Sequence, residues 1–292
     1  MMDRFFGVFL IALSALFSST LAIFACLAYQ AGTNPITLLF LRFSIAAILM
    51  ILVMTLQGIG FPRGRLLIVL IAMGGFFYVS LSLSFFTALT MAPAGLCVIL
   101  LYLYPSFVTL LAAVFLRKPV TTFHVVALLL SFIGIVCMVG LDSSKGQILG
   151  FLLAIVAALG FAIFLVLVRK PILEAGAFSV TTVVTLSAGI VFGGIATVKG
   201  VKFPVTTAGW AYAVAVALIP TALAFLTLFA GLKRIEPSNA AIILTMDPVI
   251  AVVLATVILG ETMTPVKILG GMMILSAVIL LARSEIKTVS KI

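Results

Sequence analysis

Residues 99–121, ILLYLYPSFVTLLAAVFLRKPVT, align without a gap with residues 242–264, IILTMDPVIAVVLATVILGETMT, at a constant offset of 143. Eight of the 23 positions are identical, and Pro105 and Pro248 form one of the identical pairs. Two helices rich in leucine and alanine often agree by chance, but paired prolines and an uninterrupted alignment are harder to obtain that way. The chain is therefore predicted to be an internal duplication.

The same offset extends over almost the whole chain. It pairs Phe86 with Phe229, far from the stretch that defines it. The predicted first repeat comprises residues 1–143, and the predicted second repeat comprises residues 144–292.

The composition predicts that both repeats lie in a lipid bilayer. Hydrophobic residues make up 65% of the 292 residues, charged residues make up 8%, and the mean hydropathy is +1.46. A chain of this kind cannot cover its surface with polar groups in water. Because a spanning helix needs about 20 apolar residues, the charge-free stretches and the breaker at Pro93 predict ten spans. These are residues 5–30, 35–57, 66–90, 95–116, 120–141, 147–168, 177–198, 208–232, 238–259 and 264–282.

The basic residues predict the orientation of the ten spans. With a cytoplasmic N-terminus, twelve of the 17 lysines and arginines lie in inner segments and four lie in outer loops. This excess predicts that both termini are cytoplasmic, in a multi-pass protein of the bacterial inner membrane. The basic residues are dispersed among short loops, so no nucleic acid is expected as a partner. The three cysteines fall within spans, which indicates packing rather than disulfides.

Five spans per repeat have a functional consequence. An odd number forces the second repeat to enter the membrane from the opposite side, so the predicted fold is all-α, with two inverted five-helix repeats. Inverted repeats allow alternating access to a site near the membrane midplane, which indicates a carrier. A larger bundle without transport activity is the alternative interpretation of the duplication.

Enzymes and channels are less compatible with the sequence. Its single histidine, His124, lies at the rim of the fifth span, and no nucleophile elbow or cluster of metal-ligand residues is present. No enzyme activity, cofactor or metal is therefore predicted. A channel is not favoured either, because no connecting segment is long enough to fold back as a selectivity filter.

Two groups of residues mark the start of the second span and the end of the second repeat. They are Asn34-Pro35 with Leu41-Arg42-Phe43, and Asp247-Pro248 with Leu259-Gly260-Glu261, Thr264 and Gly270-Gly271. These stretches resemble the EamA-type family of the drug/metabolite transporter superfamily, ten-helix carriers that export amino acids and other metabolites. The first repeat departs from the pattern, because Arg117-Lys118 replace Gly260-Glu261. The resemblance implies a central cavity lined by helices one to four and six to nine, with helices five and ten peripheral.

Two charged residues within spans are the main candidates for chemistry. Asp247 lies about 15 Å from either membrane face at 1.5 Å per residue, and an intramembrane carboxylate is a candidate functional group. It could bind a substrate ammonium, exchange a coupling proton, pair with Arg42, or form structural hydrogen bonds beside Pro248. Arg42 could extend to the membrane interface, or it could bind a substrate carboxylate in the cavity.

Polar residues and prolines complete the predicted site. Tyr78, Ser82 and Tyr102 are predicted to line a cavity suited to an apolar or aromatic substrate, because tyrosines at this depth need a hydroxyl partner. Further polar candidates are Asn239 and Thr245. The prolines interrupt backbone hydrogen bonding and are predicted as hinges or edges of the site. They are Pro93, Pro105, Pro220 and Pro248.

The favoured interpretation is an alternating-access secondary transporter of small organic metabolites, which exports amino acids, including aromatic or apolar ones. Its expected partners are a small-molecule substrate, the lipid bilayer and protons as a coupling ion, with direction and coupling implied by the family resemblance. A carrier of phosphorylated sugars or nucleotide-sugars ranks lower, because such dianions need several buried cations and only Arg42 lies well within a span. A non-transporting helical subunit is the alternative from another class.

Overall fold

The computed structural model describes residues 2–115, 122–139, 145–232, 234, 243–244 and 246–289, and these residues form helices and no strand. The helices are numbered here in chain order, with the connected segments of an interrupted helix under one number. They are α1 (Met2–Ser19 and Leu21–Gln30), α2 (Pro35–Leu56), α3 (Gly64–Ala72, Met73–Tyr78 and Val79–Ala88), α4 (Ala94–Leu101 and Tyr104–Phe115), α5 (Thr122–Val139), α6 and α7 (the parts of Lys145–Lys199 before and after Gly176), α8 (Thr207–Ala217, Leu218–Leu223 and Ala224–Leu232), α9 (Met246–Leu259) and α10 (Pro265–Val289).

Six helical stretches are long and apolar enough to cross a membrane by themselves, namely Phe5–Gln30, Pro35–Leu56, Gly64–Ala88, Lys145–Val168, Phe178–Lys199 and Thr207–Leu228. Four further apolar helices are shorter: Ala94–Val108, Val125–Cys137, Met246–Leu259 and Pro265–Leu280. The chain is therefore an all-helical membrane protein over its described residues.

The connection between α6 and α7 differs from the prediction. Residues 169–176 were expected to form a loop, but helix continues through them and is interrupted only at Gly176, which has φ 80° and ψ 149°. Glycine adopts this conformation without the steric cost that a Cβ would impose, so the helix can break at this single residue. The N-terminal part of the predicted ninth span, residues 238–242, lies outside the described residues.

The helices of the two predicted repeats pack against each other in pairs. Helix α2 contacts α7, α4 contacts α9, and α5 contacts α10, while α1 contacts α8 and α3 contacts α6. Each pair joins one helix from residues 1–143 to one from residues 144–292. A pseudo-two-fold axis between the repeats would produce this pattern. A Cβ built on Gly134 of α5 would lie only 2.7 Å from the carbonyl oxygen of Gly270 in α10, so glycine permits that close approach.

Three helices are irregular near their middle. Helices α3 and α8 each contain one π-helical turn, Met73–Tyr78 and Leu218–Leu223, and such turns are frequent at functional sites. The freed carbonyl of Ala224, just after the second turn, accepts a hydrogen bond of 2.8 Å from the Ser14 hydroxyl of α1. Helix α4 is interrupted at Tyr102–Leu103, ahead of Pro105, which has no amide hydrogen to continue the helix.

The bundle has two ends, which are named here by a residue at each. The Glu261 end contains the connections at residues 31–34, 89–93, 200–206 and 260–264. The Arg63 end contains the connection at residues 57–63 and the turn at Gly176.

Candidate functional site

Arg42 lies inside the helix bundle. Its side chain on α2 is only 6% exposed, and its Nε donates a hydrogen bond of 3.0 Å to the Thr221 hydroxyl on α8. The guanidinium carbon lies 5.0 Å from the ring centroid of Phe43 and 5.3 Å from that of Phe86. Arg42 is therefore held at the junction of α2, α3 and α8 and does not extend to the membrane interface.

The terminal nitrogens of Arg42 have no acceptor among the described residues. Among the described residues, the guanidinium forms one hydrogen bond, which its Nε donates to Thr221. The one ion pair found there joins Lys170 to Glu174 at 3.9 Å, so no described carboxylate neutralises Arg42. The alternative that Arg42 pairs with Asp247 is therefore wrong. A buried cation with two unbonded amino groups is suited to bind an anion.

Two tyrosines approach Arg42 from neighbouring helices. Tyr29 of α1 and Tyr78 of α3 both lie close enough to interact electrostatically with the guanidinium. The Tyr29 hydroxyl donates a hydrogen bond of 3.0 Å to the carbonyl oxygen of Phe86, and the Tyr78 ring packs edge-on against Phe43 with the centroids 5.7 Å apart. The Arg42 guanidinium is therefore surrounded by aromatic side chains.

Arg42 breaks the symmetry of the repeats. At the offset of 143 its equivalent is Thr185, a buried residue whose hydroxyl donates to the carbonyl oxygens of Thr181 and Thr182 in its own helix. The residues that meet Arg42 from α3 and α8, Tyr78 and Thr221, are in contrast equivalent to each other at that offset, and each lies in a π-helical turn. The two π-helical turns, one in each predicted repeat, therefore both contribute a residue beside Arg42.

Asp247 forms a second polar group, at the contact of α4 with α9. Its carboxylate lies near the side chains of Tyr102 and Tyr104. The two tyrosine rings pack with their centroids 5.7 Å apart, and Tyr104 contacts Phe161 of α6 with the centroids 4.9 Å apart. Tyr102 lies in the interruption of α4, so the carboxylate faces irregular backbone.

A protein family is identified by sequence comparison. The model of the EamA-like transporter family matches residues 5–140 and again residues 148–283. The chain belongs to this family. The two matches cover most of the chain, and the family indicates a transporter rather than an enzyme.

Two relatives and one solved structure are similar to this chain over most of their length. An uncharacterized transporter of Archaeoglobus fulgidus is 25% identical over 282 residues, which are 94% of this chain and 96% of the relative. The threonine/homoserine exporter RhtA of Escherichia coli K12 is 27% identical over 226 residues, 76% of this chain and 70% of that protein. A solved crystal structure with 21% identity has a TM-score of 0.67 and covers 94% of this chain and 96% of its own, so it shares the fold. The chain is thus a multi-pass transporter, consistent with a bacterial inner membrane.

The remaining predicted site residues of this EamA-like chain have different positions. Ser82 is buried on α3, and no hydrogen bond joins it to Arg42 among the described residues. Asn239 and Thr245 lie outside the described residues. Pro93 precedes the first turn of α4, and Pro220 lies inside the π-helical turn of α8. Pro105 and Pro248, the duplicated pair, each lie in the first turn of a helical segment, Tyr104–Phe115 and Met246–Leu259.

A cavity of about 460 Å³ near the Glu261 end of this EamA-like transporter is separate from these groups. It lies between α2, α3 and α7, and its walls include Leu83 and Ile195, with Lys199 and Asn34 at its edge. Neither Arg42 nor Asp247 lines it. We therefore place the candidate site at the buried charges rather than at this cavity.

The sequence analysis missed Thr221 and Tyr29. For Thr221 a signal was present, because the offset of 143 maps the predicted site residue Tyr78 onto it. Tyr29 is near the end of α1, where tyrosines commonly anchor a helix at the membrane interface. Nothing in the local sequence indicates that its hydroxyl turns inward to Phe86.

Proposed function

We propose that this chain is an alternating-access secondary transporter that exports small organic carboxylates, and in particular amino acids. The observation that carries the proposal is Arg42, a buried cation whose terminal nitrogens have neither a hydrogen-bond acceptor nor a carboxylate partner among the described residues. Burying a charge without a partner costs several kcal/mol, so a charge retained in a membrane span has a functional explanation by default.

The geometry of Arg42 favours a carboxylate. Thr221 occupies Nε, so the edge that remains is the one formed by the two terminal nitrogens. A carboxylate binds this edge with two parallel hydrogen bonds, which adds orientation to charge attraction. A single buried arginine matches the single negative charge of an amino-acid carboxylate, and the rings of Phe43, Phe86 and Tyr78 can contact an apolar substrate body.

The name of one relative supports amino acids as the substrate class. RhtA is an exporter of threonine and homoserine and is 27% identical to this chain. Both of those compounds carry the carboxylate that Arg42 is suited to bind. In this proposal, residues 1–143 and 144–292 form ten spans in two inverted repeats. Both termini are cytoplasmic, because twelve basic residues then lie on the inner side and four on the outer side.

Asp247 is proposed as the coupling group for protons. It is a carboxylate within a predicted span, it contacts Tyr102 at the interruption of α4, and it has no cation within ion-pair distance among the described residues. A carboxylate in such surroundings can gain and lose a proton as access alternates between the two sides of the membrane.

The test measures exchange of radiolabelled amino acids by the purified protein in proteoliposomes. Each amino acid competes against its own carboxamide, which keeps the body and the ammonium but loses the negative charge. We expect the wild type to prefer the carboxylate at least about tenfold, which is about 1.4 kcal/mol, and we expect Arg42→Gln to lose this preference. Arg65→Gln, at an exposed arginine, is the matched control.

Two outcomes would contradict the proposal. Equal discrimination by wild type and Arg42→Gln would mean that the guanidinium does not face the substrate. Absence of exchange across the whole panel would favour phosphorylated substrates or a subunit that needs a partner.

A further inference from the structure

Glu261 joins the two repeats at one end of the bundle. This residue lies in the connection between α9 and α10, and its two carboxylate oxygens accept hydrogen bonds from the backbone amides of Ala94 and Gly95. The bond from Gly95 measures 3.0 Å. The first amides of a helix have no acceptor within the helix, and they favour a negative charge. Glu261 therefore caps α4 from the other repeat, 166 residues along the chain from Gly95.

The cap closes a tightly packed part of the Glu261 end. A Cβ built on Gly95 would lie 3.2 Å from a carboxylate oxygen of Glu261 and 3.4 Å from the Cβ of Ala255 in α9. Cys97 lies further along the same segment of α4 and is fully buried. The thiol group is therefore shielded from solvent in this conformation.

The sequence of the first repeat lacks the carboxylate that forms this cap. At the offset of 143, Lys118 stands in place of Glu261. A lysine ammonium has three donors and no acceptor, so it cannot bind backbone amides, and the positive end of a helix repels it. When inverted repeats exchange their conformations, contacts at one end are expected to have counterparts at the other. Here the sequence carries the capping carboxylate in the second repeat and a lysine at the equivalent position of the first.

We propose that Glu261 is a positioning residue of the transport cycle, which holds α4 against α9 at the outer end and favours the outer-closed conformation. The contact must open each time the site becomes accessible from outside. This inference rests on the proposed alternating access and on the proposed orientation, which makes the Glu261 end the outer one. Glu261 acts through the position of α4 and does not touch the substrate.

The experiment measures how fast Cys97 reacts with a membrane-impermeant maleimide added outside intact cells. Cys26→Ser and Cys137→Ser first remove the other two cysteines. We expect Glu261→Ala to raise the labelling rate at least about tenfold. That factor corresponds to about 1.4 kcal/mol, which one hydrogen bond to a charged group can supply. Glu261→Gln retains an acceptor oxygen and should label at an intermediate rate, and Glu174→Gln, at an exposed glutamate, should match the wild type.

A second variant tests the donor side of the contact. Ala94→Pro removes one amide that Glu261 binds, at a first helical position where proline is tolerated. The preceding residue, Pro93, already has φ −55° and ψ 135°, the extended conformation that a following proline requires. We expect faster labelling of Cys97 in this variant as well, although Glu261 is unchanged.

The readouts separate this inference from the proposed function. Labelling needs no substrate, so it reports the contact even if amino acids are not transported. Where transport is observed, Glu261→Ala should change the maximal rate. The substrate concentration that half-saturates the inward-facing protein should stay within about threefold of the wild-type value, because Glu261 lies outside the Arg42 site. If Glu261→Ala has an unaltered melting temperature and Cys97 still labels at the wild-type rate, the inference is overturned. If that variant does not fold, Glu261→Gln and Ala94→Pro decide, and wild-type rates in both also overturn it.

Discussion

The hydrogen bond between Thr221 and Arg42 allows a quantitative test of the carboxylate site. Thr221→Val keeps the branched shape of the side chain and removes the hydroxyl that accepts from Nε at 3.0 Å. That hydroxyl also donates to the carbonyl oxygen of Val216 at 3.0 Å, across the π-helical turn. The variant therefore releases the guanidinium from α8 and leaves its Nε without the acceptor that orients it.

The expected cost follows from the nature of the bond. A hydrogen bond to a charged group contributes about 1.5–3 kcal/mol, and part of this is recovered if water or the substrate bonds to Nε instead. We therefore expect carboxylate binding to weaken about tenfold, which is about 1.4 kcal/mol. Binding of the uncharged carboxamide should change little. Isothermal titration of the detergent-purified protein with both ligands measures the two affinities directly.

Thr221→Ser separates orientation from packing in this experiment. Serine retains the hydroxyl and loses one methyl group, so it should bind the carboxylate within about threefold of the wild type. If Thr221→Val binds the carboxylate as tightly as the wild type, Thr221 does not orient Arg42. If Thr221→Ser loses as much affinity as Thr221→Val, removal of the methyl group costs as much as removal of the hydroxyl, and the hydrogen bond alone does not explain the role of Thr221.

Three further predictions concern coupling, packing and orientation. Asp247→Asn should keep amino-acid exchange but lose the stimulation by a pH gradient in proteoliposomes, and an unchanged pH response would exclude Asp247 as the proton site. Gly134→Ala should lower the melting temperature by several degrees, because overpacking typically costs about 1–3 kcal/mol and its Cβ would lie 2.7 Å from a carbonyl oxygen of α10. Gly194→Ala, with nothing within 4 Å of the new methyl group, is the control, and equal melting temperatures would refute the packing argument. A single cysteine at Lys199 should label from outside intact cells and one at Arg65 only after permeabilisation, and the reverse result would invert the proposed topology.

Most of the helices could be predicted because charged residues separate the apolar stretches that form them. Charged residues are costly in a bilayer, so their positions in the sequence bound most of the helices, and Pro93 supplies the break in the longest charge-free stretch. The rule failed at 169–176, where Arg169 and Lys170 indicated a loop. Charges can continue a helix beyond the membrane at no comparable cost, and the break in this helix lies at Gly176.

The site was harder to predict, because it depends on contacts between distant segments. Arg42 and Asp247 stand out as charges in apolar sequence, but no local pattern indicates that Arg42 meets Thr221, 179 residues away. Periodicity describes the faces of one helix, whereas partners across a bundle follow from how the helices pack. The internal repeat offers a partial remedy, since it transfers a residue identified in one half to its counterpart in the other.

The paired π-helical turns also bear on the history of this chain. Met73–Tyr78 reads MGGFFY and Leu218–Leu223 reads LIPTAL, so the two copies share the irregular backbone without sharing a residue at any position. A π-helical turn already present in the half that was duplicated would account for an irregular turn in both copies. Removing one residue from either turn should restore regular helix and rotate everything beyond it by about 100°. Such a deletion would turn Tyr78 or Thr221 away from the arginine that both now face.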